Sequence, residues 1–117
     1  MPTIQTSEYV QTSSGFFSIN REARTVRYQM AYKVVKPVKE RLRVVVEFQN
    51  PTDGKHPLFT ETVLEPGQTD LRVESPDFSD IQDGHTYSTV LRGYRMNSDA
   101  ALFSHAQDIA FIRPPGI

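Results

Sequence analysis

Catalysis and metal binding both need side chains that can converge, so the three histidines are the first residues to weigh. His56, His85 and His105 are scattered from mid-chain to near the end, and none lies two or four residues from another. A strand or helix that presents two ligands to one ion needs such spacing. All three are therefore expected to be surface or strand-end histidines. No nucleophile elbow, phosphate-cradling glycine loop or dinucleotide fingerprint occurs either. The chain reads as a non-enzyme that needs no metal and no cofactor.

Three further groups could bind something. Asp77, Asp80 and Asp83 recur at every third position beside Glu74, whereas hard-cation loops usually alternate their oxygen ligands at every second position. Phe78 and Ile81 interrupt the series as core anchors, so turn stabilisation is the preferred reading. Lys36, Lys39 and Arg41, flanked by Lys33 and Arg43, form a basic loop that could take an anion or an acidic protein surface. That loop is expected at the same end of the fold as residues 96–100, where partner-binding loops commonly gather. It has no interleaved aromatic, so nucleic-acid stacking is not expected.

The third group is apolar. Val90, Tyr94 and Met96 alternate away from Tyr87, and with Val45 and Ala31 they would make an exposed patch. Such a patch implies a protein partner or a homo-oligomer, and it ranks above the basic loop as an interaction site.

Alternation defines the elements that must position these groups. Thr25–Val34 places Val26, Tyr28, Met30, Tyr32 and Val34 on one side, and Arg41–Gln49 does the same with Leu42, Val44, Val46 and Phe48. Period-two alternation over this length marks half-buried antiparallel strands, and these two are expected to pair as a long hairpin. Asn50-Pro-Thr-Asp-Gly54 is a strong turn. Leu58–Leu64, Thr69–Ser75 (Leu71 and Val73 inward) and His85–Tyr94 follow as strands. Residues 99–112 fit either a helix capped by Ser98 or a last strand with a bulge near Gln107 and Asp108. Strand is preferred, because every other element is one and the strand ending at Tyr94 needs a neighbour.

In Ile81-Gln-Asp-Gly-His-Thr-Tyr87, an apolar residue precedes a tyrosine by six positions with Gly84 between them. With Thr89, Leu91 and Gly93 inward after the tyrosine, the pattern resembles the fibronectin type III and immunoglobulin-like sandwiches. The resemblance implies an all-β Greek-key sandwich of about seven antiparallel strands, with Ile81, Gly84 and Tyr87 as a tyrosine corner. It departs from those families in having no tryptophan, whose space Tyr28 or Tyr32 would fill, and no cysteine pair. Fold alone licenses no function.

Composition sets the remaining bounds. At 117 residues the chain is one domain, expected as a mobile arm or edge strand over residues 1–14, a sandwich over 15–113 and a tail over 114–117. A hydrophobic content of 38% excludes disorder, and no apolar run reaches the ~20 residues of a membrane helix. Net charge is −1, giving no general pull toward nucleic acid or membrane. Residues 1–58 hold nine Lys/Arg against five Asp/Glu and residues 59–117 four against nine, balances of +4 and −5 expected to cancel by cross-strand pairing. The N-terminus has no basic, apolar leader and there is no cysteine, which slightly favours a cytoplasmic location. Two functions follow from the sequence: protein–protein contact or assembly first, and small-ligand, glycan or ion binding at the loop end as the alternative.

Overall fold

The computed structural model describes residues 8–51, 53, 55–79 and 84–111. They form seven strands: β1 (Val10–Asn20), β2 (Thr25–Val34), β3 (Leu42–Phe48), β4 (Leu58–Leu64), β5 (Asp70–Glu74), β6 (Thr86–Arg95) and β7 (Ala101–Ala110). All pairings are antiparallel, in two sheets ordered β1-β2-β5 and β4-β3-β6-β7. The described residues contain no helix.

The inner faces of both sheets meet in one core. Tyr28, Met30, Tyr32 and Val34 of β2 lie against Val44, Val46 and Phe48 of β3 and Leu91 of β6, all buried. Rings of Tyr28 and Phe48 cross the inter-sheet space at 4.9 Å between centroids, and Phe17 meets Phe111 edge-on at 5.5 Å. Each such ring takes roughly 150–250 Å² out of water, so these aromatics supply much of the apolar driving force. The arrangement is consistent with a β-sandwich.

Every inward residue read from the alternation of β2, β3 and β5 is buried. Their partners were not legible in the same way. β2 and β3 do not form a hairpin: β2 lies between β1 and β5, and β3 between β4 and β6. The seven residues that link them turn the chain across the core, with Val38 buried and its carbonyl accepting from Gly67 N–H at 3.3 Å. Two successive strands with apolar stripes can pair side by side or stack face to face, and alternation is the same in both cases. Residues 101–110 are strand, as preferred. The irregularity, however, is not at Gln107 and Asp108: the register shifts where Gly93 pairs with Phe103 and Tyr94 with Ala101, leaving Leu102 as the extra residue. β1 is an edge strand that starts at Val10, upstream of the boundary expected at Gly15.

Candidate functional site

The outer face of the four-stranded sheet gathers most of the apolar patch. Antiparallel register sets three rows across β4, β3, β6 and β7. The first is Phe59, Glu47, Val90 and Ala106; the second Glu61, Val45, Arg92 and Ser104; the third Val63, Arg43, Tyr94 and Ala101. Phe59 is 53% exposed, Val63 38% and the neighbouring Leu102 39%. Val45, Val90 and Tyr94 are half-buried beside them. Charged and apolar side chains therefore alternate like a chequerboard. Arg92 pairs with Glu47 at 3.2 Å, Arg43 reaches Glu61 at 3.8 Å, and the Arg43 guanidinium lies 4.6 Å above the Tyr94 ring.

Two patch members lie elsewhere. Ala31 pairs with Ser14 and Arg72 in the other sheet, so it cannot extend this face. Met96 is exposed just past β6, where with Glu40, Arg41, Arg95, Asn97 and Ser98 it lines an open groove of about 440 Å³. That groove does bring the basic loop and the β6–β7 loop to one end of the molecule. Its charges are engaged, however: Arg95 binds Glu40 at 3.1 Å and Arg41 binds Glu65 at 3.0 Å. Lys36 binds Glu8 at 2.8 Å and sits 5.0 Å from the Tyr9 ring centre, and the carboxylate holds its ammonium above the usual lysine value. An incoming anion would have to displace carboxylates at Lys36 and Arg41; Lys39 lies exposed between them.

The acidic series is similarly occupied where it is described. Arg27 donates to Asp77 at 2.8 Å and to Glu74 at 3.0 Å, and these two carboxylates hold its guanidinium above its ordinary value. A guanidinium stands where a cation would have to sit. Asp80, Ile81 and Asp83 lie outside the described residues, so the corner is visible only at Gly84 and Tyr87. Gly84 has a φ of +78°, a left-handed conformation that suits glycine, and donates to Phe111 O at 2.8 Å. Tyr87 is buried, its ring 5.9 Å from Phe17.

His56 is exposed and hydrogen-bonded to Asp53 at 2.5 Å in the loop before β4. This partner holds the Asp53 carboxyl below its usual range. His85 is exposed before β6. His105 corrects the surface expectation: it is 2% exposed, with Nε2 2.7 Å from the Oγ1 of Thr12, itself 2% exposed. It also meets the Tyr32 ring edge-on at 5.8 Å. A hydroxyl beside an imidazole could in principle make a nucleophile and base. Sealed between two sheets, this pair can meet no substrate and acts as a polar tie between β1 and β7. The alternation Phe103-Ser-His105-Ala-Gln107-Asp-Ile109 was the signal in the sequence, because it puts His105 on the same side as two apolar residues.

No protein-family model matches the chain, and no curated protein is significantly similar to it. Among the described residues no three His, Asp or Glu side chains cluster to hold a metal, and no helix is long and apolar enough to cross a membrane.

Proposed function

We propose that this chain is a non-enzymatic sandwich domain that works by protein–protein contact, through the outer face of its four-stranded sheet. The observation that carries the reading is the exposure of Phe59, Val63 and Leu102 around Val45, Val90 and Tyr94, on a face covered by no element among the described residues. Solvated sheet faces are ordinarily polar, and large apolar side chains exposed together on one such face commonly mark an interaction site. The fold behind it is read as the immunoglobulin-like or fibronectin type III-like Greek key. Support comes from the strand order, in which β4 joins β3, β6 and β7, the sheet to which variable-type immunoglobulin domains add strands. Buried Tyr28 and Tyr32 supply the aromatic bulk expected in place of a tryptophan.

Light scattering and affinity capture on the wild type and on a Val90→Lys/Tyr94→Ala variant test the reading. A contact that the wild type makes and the variant loses, at unchanged melting temperature, is the expected result. A wild type that stays strictly monomeric and captures nothing the variant does not capture would overturn it.

A further inference from the structure

We infer that the partner on this face is a second copy of the chain, docked face to face across a two-fold axis. The inference rests on the protein-contact reading above and adds the identity of the partner. Its ground is charge. The three rows carry two arginines and two glutamates, Arg43 and Arg92 against Glu47 and Glu61, and are neutral in sum. A face that recruits a foreign partner by charge needs one dominant sign, whereas an isologous interface must complement itself, residue by residue.

An axis lying in the face and perpendicular to the strands sets each strand against its own copy with the rows exchanged. The Phe59 row then meets the Val63 row of the second copy and the reverse. Phe59 opposes Val63, Val90 opposes Tyr94, and Glu47 opposes Arg43, each twice by symmetry. Apolar groups land on apolar groups, and the carboxylate at 47 lands on the guanidinium at 43. The middle row meets itself, so Arg92 and Glu61 each approach their own copies. Each of these is neutralised within its own chain, Arg92 by Glu47 at 3.2 Å and Glu61 by Arg43 at 3.8 Å.

Size sets the strength. Four strands about 4.8 Å apart and seven residues at about 3.3 Å cover about 19 by 23 Å, or roughly 440 Å² per copy. Two copies give ~900 Å², below the roughly 1,200 Å² where stable interfaces begin. The dimer is accordingly reversible, with a mass that depends on concentration.

The test uses Glu47→Arg and Arg43→Glu, first singly and then mixed. The wild type should pass from dimer to monomer in sedimentation velocity over a roughly hundredfold dilution. Each single variant brings like charges together at the exchanged rows and should remain monomeric throughout. An equimolar mixture restores both opposite pairs across the interface and should recover the dimer. Arg72→Glu, on the other sheet, should dimerise as the wild type does. If a charge variant does not fold, Val90→Lys replaces it and should abolish the dimer. A photo-crosslinking phenylalanine analogue at position 59 separates the two levels of the reading. Crosslinks between copies support the dimer. Crosslinks only to a different protein, with a monomeric wild type, overturn the dimer and leave the contact function standing. No crosslink and a monomer overturn both.

Discussion

Tyr28 and Tyr32 stand four residues apart on β2, both buried, with hydroxyls in opposite situations. Tyr28 donates to the carbonyl of Gln49. Tyr32 faces Thr89, which gives its own proton to Gln107 O at 2.8 Å, and the Tyr32 hydroxyl makes no well-formed hydrogen bond among the described residues. Burial raises both phenols above their usual value, so neither ionises near neutrality. Removing a bonded hydroxyl costs about 1 kcal/mol, whereas removing an unbonded buried one is near neutral or stabilising. Tyr28→Phe should thus lower the denaturant midpoint and Tyr32→Phe should hold or raise it. Equal losses from the two would contradict the assignment. His105 makes a second prediction. Desolvation holds its imidazole below the ordinary 6.5. Below about pH 6.5 the unfolded chain takes up a proton that the native state resists, so stability is full above that pH and falls as pH drops toward the lower native value. Denaturant midpoints measured between about pH 7.5 and 5 should decline in the wild type and decline less in His105→Gln.

Strands β6 and β7 depend on a glycine at the place where their register slips. A Cβ added to Gly93 would come within 2.3 Å of the Phe103 ring, closer than any real contact. Gly93→Ala should cost about 1–3 kcal/mol by overpacking, read as a lower melting temperature. Part of the loss should return when Phe103→Leu is combined with it, and a fully additive double variant would show that the clash is relieved elsewhere. The alternation Tyr87, Thr89, Leu91, Gly93 was plain in the sequence. The bulge at Leu102 was not, because one unpaired residue leaves the alternation on either side of it intact.

Across the whole molecule, the charge imbalance of the two chain halves closes on itself. Arg27 with Glu74 and Asp77, Arg41 with Glu65, Arg43 with Glu61, Arg92 with Glu47 and Arg95 with Glu40 each join the first half to the second. All are at the surface and contribute little individually, so added salt should shift the unfolding midpoint only slightly. The fifth strand meets β2 across a long stretch of chain, as the third does β6. Such non-local pairing closes large loops before any contact rewards it, and refolding should take milliseconds to seconds rather than microseconds. A stopped-flow trace completed within its dead time would refute that.

Period-two alternation was enough to locate β2, β3, β5 and β6 and to say which side of each is buried, since burial of an apolar stripe is a property of the strand itself. Tertiary structure alone decided which strands are neighbours and which merely face one another, because pairing depends on chain crossings that leave no mark on alternation. It also decided that the cations at Lys36, Arg41 and Arg27 already hold carboxylates, and that Val45, Val90 and Tyr94 share a face while Ala31 does not. Val45 is far in the chain from Val90 and Tyr94, and only the register of β3 against β6 brings it beside them.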